Sequence, residues 1–252
     1  MDKSDRLDIG ADFDRRAGDY ETQSFWASDS YVASQALDLL RARKIGDLLD
    51  IGGGSGLLAA RIIETMDYSS ATVLDPSPKM LTNVRPEIKT VCARFEDSLF
   101  EKNSFDTILL RQVLHYVEDP TDVIQRATEL LRENGKIYIG QIVAPDPSSA
   151  AWLKSVGLKL SPNRRRVWTI EELITFMLSL GLTLLEAKLH GFVDNVRDWA
   201  HRGVIELDIH RFLLESRSSL PDEVAGLLRI EPEDPNLQFE TYWFHGLFTT
   251  ST

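Results

Sequence analysis

From Gly46 onward the chain alternates short β-rich apolar runs with runs of helical periodicity. DLLDI precedes LLAARIIETM, ATVLD precedes SPKMLTNV, IKTVCAR has no clear helix behind it, FDTILLR precedes PTDVIQRATELLREN, and GKIYIGQIV follows. Most of these intervals have the length of a crossover, which a strand needs if it is to run parallel to its predecessor. Strands buried between helices lose the polar alternation of a half-exposed strand and become nearly continuous apolar runs, as these are. The pattern predicts an α/β fold, a mostly parallel sheet with helices on both faces.

Flanking segments complete the outline. SDSYVASQALDLLRARK, from Ser28, has helical spacing and a cationic end suited to a helix C-terminus, and everything before it is polar. Pro120 sits where a first-turn proline belongs, and Asn134-Gly135 is expected to cap the end of the helix PTDVIQRATELLREN. Pro145 and Pro147 are expected to break the chain. Thr169 with Glu172 reads as a capping box opening TIEELITFMLSLGL. LTLLEAKLH is a further strand, residues 194–228 are helical in pattern with polar breaks around Ser216 to Pro221, and FETYWFHGLFTT supplies a last strand. The helical piece is an insertion before that strand. A single domain over 1–252 is expected, with a lid segment at 1–44, a ligand-binding core at 45–145 and a substrate-side half at 146–252.

Composition narrows the function classes. With 252 residues, 43% of them apolar, the chain can bury one substantial core. Its 39 acidic against 28 basic residues give a formal charge of −11, which disfavours nucleic acid as a partner. MDKSDRLDIGADFDRR is too polar for a signal peptide, and no run approaches the ~18 apolar residues of a membrane span, so a cytoplasmic protein is expected. Cys92 is the only cysteine and, lying in an apolar run, is expected to be a packed thiol. The histidines outside position 115 have no ligand spacing, and no metal site is expected.

LLDIGGGSG, from Leu48 to Gly56, places an acid at the mouth of a glycine cradle. A phosphate-binding P-loop needs a Gly-Lys-Ser/Thr ending, which Ser55-Gly56-Leu57 does not supply. A dinucleotide loop needs G-x-G-x-x-G, whereas the glycines here stand at 52, 54 and 56, and Asp50 would repel a pyrophosphate. An acid beside closely approachable backbone suits a cationic group such as an ammonium or a sulfonium, because glycine puts no Cβ between chain and ligand. Asp75 closes ATVLD twenty-five residues later, near the offset at which α/β nucleotide sites hold a ribose. Together the two acids point to an adenosine compound with a positively charged tail.

LLDIGGGSG, VLDPSPKML, FEDSLF and NSFDTILLRQVLHYVEDP followed by LLRENGKIYI resemble, in order and spacing, the class I S-adenosylmethionine-dependent methyltransferases, most closely their small-molecule branch of ubiquinone-, menaquinone- and biotin-pathway enzymes. The resemblance runs from Phe13 to Leu189. It implies a Rossmann-like, seven-stranded sheet completed by the last strand, S-adenosyl-L-methionine as cofactor and S-adenosyl-L-homocysteine as product. It places Asp50 near the ligand's amino group, Gly52 and Gly54 against its methionyl part, Asp75 on the ribose, and Pro76 and Met80 beside the adenine; Arg111, closing FDTILLR, joins this set. The family's usual aspartate near the adenine amine is replaced by Ala93-Arg94-Phe95, leaving Phe95 or Glu96 as substitutes. FDRRAGDYE resembles the family's N-terminal FDxxAxxYD segment, which makes Tyr20 the residue at the cofactor's carboxylate end.

For the acceptor the residues leave alternatives. The resemblance puts His115 and Tyr116 at the carboxyl edge of a strand, where His115 is either the proton acceptor or a packed histidine. Asn163-Arg164-Arg165-Arg166 is either a solvated loop or a clamp in which Arg164 and Arg166 grip an acidic substrate. Trp26 and Trp199 fall in the segments best placed to cover a pocket, segments that could equally bury a homodimer face. The expected function is methyl transfer to a small, acidic or aromatic metabolite by direct displacement. The alternatives are a nicotinamide-dependent oxidoreductase and a non-catalytic protein that holds the adenosyl cofactor.

Overall fold

The computed structural model describes residues 8–250 apart from 42, 162, 204, 205 and 232, and the backbone alone of 23 and 25. The first seven residues of the expected lid segment, and two of the helical insertion, lie outside the described residues.

Seven strands form one sheet in the order β3-β2-β1-β4-β5-β7-β6. They are β1 (Gly46–Ile51), β2 (Tyr68–Asp75), β3 (Lys89–Cys92), β4 (Phe105–Arg111), β5 (Leu131–Val143), β6 (Leu182–Asn195) and β7 (Gln238–Thr250). Pairings among β1 to β5 are parallel, while β7 slots antiparallel between β5 and β6. The order reverses between β1 and β4, so the connections leaving those two strands run to opposite faces. A crevice at the carboxyl ends is the result. The α/β expectation and the seven-stranded sheet both hold.

The helices follow the periodicities. N-terminal to the sheet are α1 (Ile9–Arg16), α2 (Tyr20–Gln23), α3 (Phe25–Ser28) and α4 (Ser30–Arg41); α5 (Leu57–Thr65), α6 (Pro78–Leu81) and α7 (Pro120–Leu130) follow β1, β2 and β4. Next come α8 (Pro147–Leu160) and α9 (Ile170–Ser179), and the insertion before β7 is α10 (Val196–Arg202), α11 (Ile209–Ser218) and α12 (Asp222–Leu227). One apolar cluster joins Leu49, Ile108 and Ile139 to α7 and α9, and another joins Leu48, Val73 and Leu109 to α4 and α5. These two layers cover the opposite faces of the central strands. A third cluster packs Trp152 and Leu153 of α8 against Val196, Phe212 and Phe239, so the insertion stands on α8 and the start of β7.

Local signals fared unevenly. Thr169 and Glu172 form the expected capping box, with bonds of 3.2 and 2.9 Å. Pro147 opens α8 at its first turn behind the N-cap Asp146 instead of breaking the chain. Asn134 does not cap α7, which ends at Leu130. Leu131 is already extended and buried, and Asn134 takes a left-handed conformation (φ 61°) in the irregular start of β5. The reason lies below the sheet, where Arg132 Nη1 bonds Asp47 at 2.6 Å and Asp106 at 2.7 Å and so draws the segment into register beside β4. Cys92 is exposed, because β3 is an edge strand and little packs over its end.

Candidate active site

At the carboxyl edge, Asp50 is the penultimate residue of β1, Asp75 ends β2, Arg111 ends β4, and Gln141 lies one residue beyond the position that pairs with Arg111. Between the first two runs the glycine turn. Gly52, Gly54 and Gly56 all have φ between 58° and 72°, a region that side chains with a Cβ rarely occupy. The turn is latched to β2 by Gly52 N–H donating to Leu74 O (2.7 Å) and Gly54 N–H donating to Asp75 Oδ2 (3.0 Å). Ser77 N–H donates to the other oxygen, Asp75 Oδ1, at 2.8 Å.

Both acids are buried. Burial pushes Asp50 up to about 7; the nearby charge of Asp75 adds to this and the Arg111 guanidinium opposes it. Burial likewise pushes Asp75 up to about 6, against the two backbone donors that favour its ionised form. Carboxylates whose ionisation is held back in this way gain when a cation or hydroxyl donors arrive. A bound anion would do the reverse.

A cavity of about 660 Å³ opens on these groups. Tyr20, Trp26, Asp50, Gly52, Gly54, Asp75, Pro76, Met80, Phe95, Glu96, Arg111, His115, Tyr116, Arg164, Arg166 and Trp199 all line it. Its volume falls in the range of small-molecule sites.

Over the cavity runs a train of aromatic rings: Tyr116 meets Phe13 edge-on at 5.5 Å, Phe13 meets Tyr20 at 5.9 Å, Tyr20 meets Trp26 at 6.2 Å, and Trp26 meets Trp243 at 5.4 Å. Arg16 lies over the Phe13 and Tyr20 rings, and Arg111 lies 5.6 Å from the Trp26 ring. Burial raises the Tyr20 hydroxyl to about 12, keeping it a neutral donor. Trp26 therefore packs within the chain. So does Trp199, whose Nε1–H donates to Asp194 at 2.8 Å.

Phe95 is buried under Arg126, while Glu96 on the same 3-10 turn is exposed. Asp97, not singled out by the sequence, also lines the cavity. The arginine clamp needs correction. Arg166 bonds the carbonyls of Leu114 (3.4 Å) and Glu118 (3.2 Å), so only Arg164 of the proposed pair keeps its guanidinium free of hydrogen bonds to the chain among the described residues. Arg16, Gln141, Asn163, Asp194 and Arg202 were missed. A lone glutamine inside the apolar strand GKIYIGQIV was the available signal for Gln141.

The sheet order, the switch-point crevice and the paired acids have the arrangement that ligand sites on open α/β sheets use. Residues 49–139 match the family model described as a methyltransferase domain. An uncharacterised methyltransferase of Mycobacterium tuberculosis H37Rv is 28% identical over 155 residues, 60% of this chain and 60% of the relative. The chain thus spans about 60% of the length of that curated relative. Among solved structures, a proposed methyltransferase of Bacillus halodurans C-125 superposes with a TM-score of 0.78 at 16% identity, covering 87% of this chain and 99% of that one. The 1,6-didemethyltoxoflavin-N1-methyltransferase of Burkholderia thailandensis, solved with 1,6-didemethyltoxoflavin and S-adenosylhomocysteine, gives 0.58 at 15% identity over 96% and 88%. At such identities the structures speak for the fold. The domain match over residues 49–139 and the shared fold make the chain similar to the class I S-adenosylmethionine-dependent methyltransferases.

Proposed function

We propose that this protein transfers the methyl group of S-adenosylmethionine to a small-molecule acceptor. The carrying observation is the pair of buried acids, Asp50 and Asp75, flanking a left-handed glycine turn at the sheet's switch point, with Arg111 and the aromatic roof continuing the same cavity toward a second, arginine-bearing half. The cradle suits the cofactor on its own chemistry. A Cβ at Gly52 would stand 2.7 Å from Val113 and one at Gly54 2.9 Å from Met80, so the turn has room for a ligand only as glycine.

When bound, the cofactor supplies an electrophilic methyl group on sulfur. Asp50 would hold its ammonium, Gly52 and Gly54 its methionyl chain, Asp75 its ribose, and Pro76, Met80, Phe95 and Glu96 its adenine, with Tyr20 toward its carboxylate. The roof of α1 to α3 and α10 would exclude water and align the acceptor, which is most of what a direct displacement requires of a protein. On this reading residues 1–44 are the lid, 45–145 the cofactor core and 146–252 the acceptor half. No helix among the described residues is long and apolar enough to cross a membrane; we place the protein in the cytoplasm, where an exposed Cys92 thiol stays reduced.

The nicotinamide alternative is disfavoured by Asp50, an acid where a pyrophosphate would lie. Calorimetry with S-adenosylhomocysteine and with NAD, followed by incubation with methyl-labelled S-adenosylmethionine and a metabolite extract, tests the reading. Binding of S-adenosylhomocysteine and label in a small molecule are expected. Binding of NAD alone would overturn it, and cofactor binding without any labelled product would leave the non-catalytic holder.

A further inference from the structure

The fold divides the three consecutive arginines. Arg165 donates from Nε to Tyr116 O at 3.2 Å and lies 3.9 Å from Glu118, while Arg166 is held by the carbonyls of Leu114 and Glu118. Arg164 turns the other way. Its guanidinium lies 4.5 Å from the Trp199 ring centroid, and its stem passes a notch in α8 that exists because residue 157 is glycine: a Cβ there would stand 2.8 Å from Arg164 Cδ. Asp194, on the same wall, is engaged by Arg202 at 2.7 and 2.8 Å and by Trp199. Among the described residues no carboxylate pairs with Arg164. A guanidinium held in place by a ring and a notch, and left without a counter-ion in a cavity, is a preformed receptor for an anion.

His115 faces the same cavity. Gln141 Nε2 lies 3.3 Å from the backbone carbonyl of Ile142 and 3.2 Å from Gln112 Oε1, and two oxygen neighbours identify that end of the amide as the NH₂. The same nitrogen lies 3.1 Å from His115 Nδ1, nearer than the amide oxygen at 3.5 Å. On the shorter contact Nδ1 accepts, which leaves the ring proton on Nε2. Burial first, then the charges of Arg164, Arg166 and Arg16, hold the imidazole well below its ordinary value and so neutral, with Gln141 opposing. A ring that is neutral with Nδ1 occupied and Nε2 protonated donates a hydrogen bond and has no free lone pair with which to take a proton.

We propose that the methyl acceptor carries a carboxylate received by Arg164, and that His115 orients it as an Nε2–H donor. This rests on the methyl-transfer reading above. Among the described arginines that line the cavity in the acceptor half, Arg164 alone has a guanidinium without hydrogen bonds to the chain, and this matches one negative charge, which favours a carboxylate over a phosphate dianion.

The probes are acetate, succinate, benzoate and phenylacetate, each beside its carboxamide, and inorganic phosphate, titrated by calorimetry into protein saturated with S-adenosylhomocysteine. At least one carboxylate should bind about tenfold or more tightly than its amide. Arg164→Gln should erase that discrimination while S-adenosylhomocysteine affinity stays within about twofold, and Gly157→Ala, which displaces Arg164 without removing it, should weaken it. Amides matching acids throughout, discrimination surviving in Arg164→Gln, or phosphate binding more tightly than every carboxylate would each overturn the proposal. Nitrogen-15 spectra of His115 should show the Nε2–H tautomer unchanged between about pH 5 and pH 8; an Nδ1–H tautomer or a titration in that window would overturn the donor role. If S-adenosylhomocysteine does not bind, the methyl-transfer reading has failed, and the same panel on the free protein still judges the carboxylate receptor.

Discussion

Asp12 Oδ2 accepts a hydrogen bond of 2.8 Å from Asn163 Nδ2, tying α1 to the arginine loop from the far side of the sequence. Both side chains are buried, and Asp12 also pairs with Arg15 on its own helix. The bond is the latch between the roof and the acceptor wall. Asn163→Leu should cost about 1–3 kcal/mol, the usual range when a buried partner is removed. It should also speed amide hydrogen exchange across residues 9–27. Saturating S-adenosylhomocysteine should slow exchange from Phe13 to Trp26 in the parent protein. Exchange indifferent to both changes would mean that this segment does not act as a lid.

Asp75→Ala should weaken S-adenosylhomocysteine about ten- to a hundred-fold, because a buried, charged hydrogen bond contributes roughly 1.5–3 kcal/mol. Asp75→Asn is the informative companion, since it loses the charge and keeps an acceptor oxygen for only one of the Gly54 and Ser77 amides, turning an NH₂ toward the other. Calorimetry reads both. Parent-like affinity in Asp75→Ala would remove this acid from the ribose site.

Proton release should accompany cofactor binding near neutrality. Asp50 at about 7 and Asp75 at about 6 both lie above the ~3.9 of an unfolded aspartate. The ligand favours their ionised forms, so affinity should improve as pH rises through 6 and 7 and flatten above. For folding the sign is opposite. The native acids retain protons that the unfolded chain has lost, so their contribution is full below about pH 4 and disappears as pH rises through 6 and 7. His245, which burial holds at about 3, runs the other way, contributing above ~6.5 and losing that contribution as pH falls. Thermal melts mix these effects. Calorimetry at about pH 6.5 in two buffers of different ionisation enthalpy isolates the ligand-linked protons, and zero release would contradict the raised acids.

Gly54→Ala should lower both stability and cofactor affinity. Its φ of 58° costs a residue with a Cβ roughly 1–2 kcal/mol, and the new methyl would press on Met80. Gly226→Ala is the control: in α12 nothing lies within 4 Å of its would-be Cβ, and alanine is favoured over glycine in a helix by about 1 kcal/mol. The melting temperature should fall in the first and rise slightly in the second. A fall of equal size in both would show that the glycine turn has no special strain.

The chain order alone pointed to a mostly parallel sheet between helices, because the evidence is local: apolar runs such as LLDI and TILL cannot be solvated, and most of their spacings have the length of a crossover. The strand order, with its crevice and the antiparallel β7, was decided by tertiary pairing. Asp50 and Asp75 were legible for the same reason, being acids at the ends of such runs beside glycines. Other features depend on which distant group arrives first. Asn134 looked like a helix cap until Arg132 found Asp47 and Asp106 below the sheet. Cys92 looked packed, but whether an apolar strand is central or at an edge is decided by its neighbours, and β3 has one. Arg164 and Arg166 are alike as residue types. The carbonyls of Leu114 and Glu118 take Arg166, and the Gly157 notch with the Trp199 ring takes Arg164. Likewise the Ile142 carbonyl, 3.3 Å from Gln141 Nε2, orients the amide that His115 Nδ1 meets. Backbone periodicity is written in the order of residues; competition among hydrogen-bond partners from remote segments is settled only when the chain has closed on itself.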